Sequence, residues 1–126
     1  MIHGVDLTDE QRAIHELARD FAARRVAPDA AKRDKTGRFP ADLIPQLGAL
    51  GLLGIKVPDV DGGAGCDMTS YVLAISEISK ACASTGVTMA VCNLAADIMS
   101  RHGTPEQKRH WLLPYLAGKL GAGTFA

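Results

Sequence analysis

Residues 77–126 read EISKACASTGVTMAVCNLAADIMSRHGTPEQKRHWLLPYLAGKLGAGTFA, and this stretch decides the fold. Between Val87 and Met99 ten of thirteen positions are apolar, interrupted only by Thr88, Asn93 and Asp97. Such a run predicts a helix that is apolar on nearly all sides and therefore covered on nearly all sides. Its start lies at the Ser84-Thr85-Gly86 step, where the hydroxyls are expected to cap it. It closes at His102-Gly103, with His102 a cation near the C-terminal end of the helix dipole. Thr104, Pro105, Glu106 and Gln107 then supply a cap, a first-turn proline, a favourable charge and a reciprocal capping box. Trp111, Leu112 and Tyr115 are the expected anchors of this last helix, which ends near Gly118. The tail LGAGTFA is too rich in glycine for a helix and reads as the lead into a strand.

Upstream, the same grammar repeats. Thr8 and Gln11 form a second capping box. Ile14, Leu17, Ala18, Phe21 and Ala22 follow at helical spacing, and Pro28 is expected to end or kink that helix near Ala27. The charged segment from Asp29 to Arg38 predicts a short helical continuation and a turn at Gly37. Pro40 suits the start of a further helix carrying Leu43, Ile44, Leu47 and Leu50 and stopping at Gly51. Pro45 fits that helix only if it is short and Pro45 lies near its first turn. The segment GLLGIKVPDVDGGAG reads as loop. Asp67 or Thr69 caps the next helix, whose stripe is Tyr71, Ala74, Ile75, Ile78 and Cys82.

Composition narrows the classes. Fourteen basic and fourteen acidic residues cancel, leaving no electrostatic footprint for nucleic acid or an anionic membrane. Three cysteines, Cys66, Cys82 and Cys92, lack the spacing of a metal site or a disulfide framework and fit a reducing, cytoplasmic setting. The opening MIHGVDLTDEQ has neither the basic cap nor the apolar core of a signal peptide. No run reaches the ~18 uncharged apolar residues that a membrane span requires. The expected architecture is all-α, an orthogonal bundle of about five or six helices.

Few residues invite chemistry. Gly62-Gly63-Ala64-Gly65 lacks the strand, helix and spacing of a phosphate cradle and reads as a structural turn. His3, His15, His102 and His110 are scattered, with no partner at metal-ligand spacing, and His110 reads as part of a solvated helix face. Ser84 and Thr85 have no His or carboxylate placed by sequence to activate a nucleophile. Thr88, Cys92, Ala95 and Met99 share one face of the apolar helix; they read as core or as the wall of a slot. No metal site is expected.

The order and wording of these motifs resemble the N-terminal helical domain of acyl-CoA dehydrogenases. The likeness runs from LTDEQRAI to GTFA, with CASTGV-x-M-x-V-x-N nearest the short-chain, butyryl-type members. V-P-x-x-x-G-G-x-G is a family hallmark, with Asp61 here where Tyr is common. The resemblance implies an N-terminal α-helical domain over residues 1–118 and, over 119–126, the lead into a flavin-binding β-domain. It implies that Thr88, Met89, Cys92 and Asn93 line an acyl slot and that Phe125 opens a flavin-contacting strand. For the complete enzyme it implies FAD-dependent α,β-dehydrogenation of an acyl-CoA, an electron-transfer flavoprotein as acceptor, and a homotetramer. The family's catalytic glutamate and most flavin contacts belong to later domains, so no catalytic residue is expected in this chain, which alone is expected to be inactive. The competing expectation is a catalytically silent helical domain that serves interaction or assembly.

Overall fold

The computed structural model describes residues 5–124 and residue 126. Among the described residues the chain is all-α, with no strand. Helices α1 (Asp9–Phe21) and α2 (Ala27–Thr36) are joined by a π turn, Ala22–Val26. A 3-10 turn, Ala41–Leu43, leads into the short α3 (Ile44–Ala49), and a second 3-10 turn, Asp59–Asp61, interrupts the loop that follows. Then come α4 (Met68–Ala81) and α5 (Ala83–His102). The last rod is α6 (Pro105–Gln107), a π turn (Lys108–Leu112) and α7 (Leu113–Leu116). Counting each π-joined pair as one rod gives five among the described residues.

The two capping boxes form as read. The Thr8 hydroxyl accepts from the Gln11 amide at 3.2 Å while the Gln11 side chain accepts from the Thr8 amide at 3.0 Å. Thr104 and Gln107 repeat the exchange at 3.2 and 2.8 Å. Asp67, rather than Thr69, caps α4 by accepting from the Ser70 amide at 2.8 Å. Pro45 falls in the first turn of the six-residue α3, as the short-helix reading requires.

Pro28 does not stop the first helix; the chain widens by one turn and continues. The Ala27 amide donates to the Ala22 carbonyl, five residues back, immediately before Pro28. The final rod does the same, with Leu113 donating to Lys108 immediately before Pro114. Both prolines stand two residues beyond the end of a π turn. A proline in an α-helix clashes with the carbonyl four residues earlier and leaves it without a donor, so one wider turn accommodates the ring. The last helix is therefore not the uninterrupted one expected from sequence. Trp111 is also no anchor: it is 55% exposed, edge-on to His110 at 4.7 Å, while Leu112, Tyr115 and Leu116 turn inward.

In the core, α1 packs on α4, and α4 on α5. The α4 stripe is confirmed at Ala74 and Ile78, with Tyr71 and Ile75 at its margin. It ends one residue early, since Cys82 is extended (φ −161°, ψ 112°) and separates α4 from α5. Ser84 and Thr85 are not caps. They lie inside the first turn of α5, whose N-cap position is Cys82. The loop after Gly51 has no regular strand, yet Leu52, Leu53, Ile55 and Val57 are all buried in the core. It closes on itself through Cys66 N–H to Ile55 O and Gly65 N–H to Val57 O, each 2.9 Å. A Cβ on Gly63 would run into the Val57 backbone, so this glycine allows the loop to fold flat.

Candidate functional site

Helix α5 positions every candidate substrate residue, and its rows have three different environments. Met89, Asn93, Ala96 and Ser100 form the inner row and are buried. Val87, Val91, Leu94 and Ile98 form the outer row; Val87 is 64% and Leu94 46% exposed. The row Thr88, Cys92, Ala95 and Met99 runs along the boundary, half-buried except for the fully buried Cys92. The expectation of burial on nearly all sides therefore fails within this chain: one apolar flank of α5 is only partly covered, with Val87 and Leu94 exposed and Val91 and Ile98 half-buried. Five helical rods have too little surface to cover both flanks of their central member.

Each candidate already has local work. Thr88 donates its hydroxyl to the Ser84 carbonyl at 2.9 Å, so its methyl group is left for the boundary. Met89 and Cys92 are fully buried in the core cluster. The Cys92 carbonyl accepts from the Tyr115 hydroxyl at 3.0 Å. Asn93 makes three side-chain hydrogen bonds: to Leu52 O at 2.8 Å, to Met89 O at 2.9 Å, and from Ile55 N–H at 2.9 Å. Its amide stands in for a strand partner to the buried loop. Thus the structure brings Thr88 and Cys92 together on the boundary row and turns Met89 and Asn93 to the other side. A groove of about 300 Å3 between Val5, Leu7, Met68, Val72 and Leu73 shares none of the four. Phe125, the expected flavin contact, lies outside the described residues.

Two polar contacts fix α5 in place and a third joins α1 to α4, and sequence reasoning missed their pairings. Asp61, on the glycine loop, accepts from Ser100 of α5 at 2.7 Å and from Lys108 of the last rod at 3.0 Å. The Ser100 hydrogen bond and then the Lys108 contact hold its carboxyl below the usual value. Asp61 thus ties three elements through one carboxylate. The Tyr115 hydroxyl also accepts from Gly123 N–H at 3.1 Å, fastening the tail beside α5. Across the bundle, His15 of α1 meets Glu77 of α4 at 2.9 Å, with Lys80 on the same carboxylate oxygen at 2.7 Å. None of these pairs has short sequence spacing except Glu77–Lys80, the one an i,i+3 rule could have found.

No group of three or more His, Cys, Asp or Glu side chains that could hold a metal ion occurs among the described residues. No helix there is long and apolar enough to cross a membrane. In the Gly62–Gly65 turn a Cβ on Gly63 would meet the Val57 backbone, the close approach of a structural turn.

Comparison with known proteins agrees with this fold. Residues 8–119 match the family described as acyl-CoA dehydrogenase, N-terminal domain. The chain is 41% identical over 119 residues to the short-chain specific acyl-CoA dehydrogenase of Clostridium acetobutylicum, covering 93% of this chain and 31% of that protein. Butyryl-CoA dehydrogenase from Megasphaera elsdenii superposes with a TM-score of 0.81 at 34% identity, over 90% of this chain and 31% of that one. Glutaryl-CoA dehydrogenase from Mycobacterium smegmatis, in complex with FADH2, gives 0.82 at 28% identity, over 89% and 29%. The chain thus spans about a third of the length of the relatives it matches. With residues 8–119, most of the chain, matched by the family model, it belongs to the acyl-CoA dehydrogenase N-terminal domain family.

Proposed function

We propose that this chain is the N-terminal helical part of an FAD-dependent acyl-CoA dehydrogenase that desaturates short acyl-CoA thioesters in the cytoplasm. In this reading the boundary row of α5 forms one wall of the acyl slot. The outer row packs against later domains or another subunit of a homotetramer. Residues 119–126 lead into the flavin-binding β-domain, and electrons leave to an electron-transfer flavoprotein. The observation that carries it is the amphipathic division of α5. An apolar flank with Val87 and Leu94 largely exposed, beside a boundary row of small and flexible side chains, suits a surface that another apolar body covers.

The described residues fit the acyl chain better than the cofactor. In this reading most contacts to FAD come from later domains of the enzyme, with Phe125 the one expected contact from this chain. FAD would accept the β-hydride. This chain's own contribution is to shape the slot and exclude water. Thr88 stands at the open boundary. Cys92, one turn further and held through its carbonyl by Tyr115, fixes the depth, while Met89 and Asn93 brace the wall from behind.

The test is Cys92→Phe in the complete enzyme, with kcat/KM measured across a series of saturated acyl-CoAs. If Cys92 limits the slot, longer thioesters lose more, by up to about 0.8 kcal/mol for each excluded methylene. A uniform loss at every length, accompanied by about 1–3 kcal/mol of lost stability from overpacking, would make Cys92 core only.

A further inference from the structure

The tail after α7 is tied to α5 by one side chain. Gly118 turns it (φ 74°) so closely past α3 that a Cβ there would lie 2.7 Å from the Ile44 oxygen and from Pro45 Cα. Gly121 turns it again (φ 80°), and Ala122 then packs against the core. At Gly123 the amide donates to the Tyr115 hydroxyl at 3.1 Å, the one hydrogen bond of the tail beyond Lys119 among the described residues. The same hydroxyl donates its single proton to the Cys92 carbonyl at 3.0 Å. One oxygen thus joins the backbone of α5 to the backbone of the tail.

The bridge is buried and closely packed. Tyr115 is only 5% exposed, and burial, followed by the bond to Cys92, pushes its hydroxyl up from the ordinary phenol range. It stays protonated, and the direction of both bonds is fixed. A Cβ on Gly123 would lie 2.9 Å from Ala95 Cβ and 2.9 Å from Tyr115 Cζ, so the tail backbone rests directly on Ala95. Ala95 follows Cys92 in the boundary row, about one turn along. That row is half-buried at Thr88, passes the fully buried Cys92, and is crossed by the tail at Ala95.

Resting on the reading of this row as one wall of an acyl slot, we propose that Tyr115 is a positioning residue for acyl-chain length: its hydroxyl hangs the tail across Ala95 and so closes the slot just beyond Cys92. Tyr115 itself touches no acyl atom. It acts through the Gly123 backbone, which an acyl chain growing past Cys92 would have to displace. A hydroxyl that merely satisfied two backbone groups would affect stability and leave chain-length preference alone, so the two roles separate in one measurement.

The experiment compares the complete enzyme with its Tyr115→Phe and Gly123→Ala variants. kcat/KM is measured over a series of saturated straight-chain acyl-CoAs, and amide hydrogen exchange is followed in peptides spanning Gly123. Tyr115→Phe keeps the ring and frees the tail. Exchange at Gly123 should quicken by about tenfold or more. The ratio of long-chain to short-chain kcat/KM should rise, by up to about fourfold for each methylene newly admitted. Gly123→Ala pushes the tail off Ala95 with the hydroxyl still in place, and should shift the ratio the same way; it decides the matter if Tyr115→Phe does not fold. Unchanged Gly123 exchange in Tyr115→Phe, or quickened exchange with an unchanged ratio, would overturn the proposal and leave the slot reading standing. A parent enzyme that oxidises no acyl-CoA would overturn the slot reading, and the proposal with it.

Discussion

Replacing Asn93 by Ala separates a structural role from a substrate-binding one. The side chain is 5% exposed and satisfies two buried loop groups that have no other partner from α5, the Ile55 amide and the Leu52 carbonyl. The third contact, to Met89 O, shares a carbonyl that already belongs to the helix ladder. Truncation therefore strands two backbone groups at about 1–3 kcal/mol each and leaves a small void. The expected loss is about 3–4 kcal/mol, a large part of the roughly 5–15 kcal/mol available to a domain. In urea, with a slope of about 1–3 kcal/mol/M, the helical circular dichroism midpoint should fall by roughly 2 M. Asn93→Asp keeps the acceptor for Ile55 but loses the donor to Leu52 and buries a charge, so it should not rescue. A loss below about 1 kcal/mol would refute the idea that Asn93 pins the buried loop. Unchanged stability with a changed acyl-CoA preference in the complete enzyme would assign it to the slot instead.

Other consequences of the structure can be measured separately. Gly86→Ala should destabilise by about 1–3 kcal/mol on urea unfolding despite the roughly 1 kcal/mol helical preference for Ala, because the new Cβ meets Ser79 Cα and Cβ at 3.0 Å and forces α4 from α5; a stabilised variant would show that the crossing can yield. Burial raises the Glu77 carboxyl, but Lys80 and His15 outweigh it and hold it below the 4.5 of a free carboxylate, so its contribution is present above that pH and is lost as acid takes the pH down through the lowered value. Glu77→Gln should flatten the acid limb of stability measured between pH 5 and 3, and an unchanged limb would count against the His15–Glu77–Lys80 contact. The isolated chain should self-associate through Val87, Leu94 and the half-buried residues between them; sedimentation showing a concentration-independent monomer that binds no hydrophobic dye would show that this flank tolerates water.

What could be read from the sequence is what is local. A capping box needs only two side chains three residues apart, so Thr8–Gln11 and Thr104–Gln107 were legible. So was the stripe of α4, because a period of 3.6 survives any tertiary arrangement. The prolines were legible as disturbances but not as outcomes. A proline reports a clash four residues back, and whether the chain stops or widens depends on whether packing rewards continuation. Here Val26 and Leu112, buried at the ends of the two π turns, reward it. The Ser84-Thr85 caps failed for a related reason: a cap requires extended backbone at its own position, and that position went to Cys82, displacing both hydroxyls into the first turn.

The candidate site marks the boundary of sequence reasoning more sharply. An i, i+4, i+7 spacing identifies Thr88, Cys92 and Ala95 as one row but cannot say which of the three rows of α5 the bundle covers. Apolarity all round suggested every row; the structure covers one, half-covers the second and leaves Val87 and Leu94 of the third exposed. The choice among rows is made by contacts 38 to 47 residues away, at Asn93 with Ile55, Ser100 with Asp61 and Lys108 with Asp61. Each is a polar side chain reaching the glycine loop, and no periodicity records them. These contacts orient α5, and so they decide that Met89 and Asn93 serve the core while Thr88 and Leu94 face outward. The glycine loop, which on sequence reads as no more than a structural turn, is therefore better understood as the clamp that sets the rotation of α5.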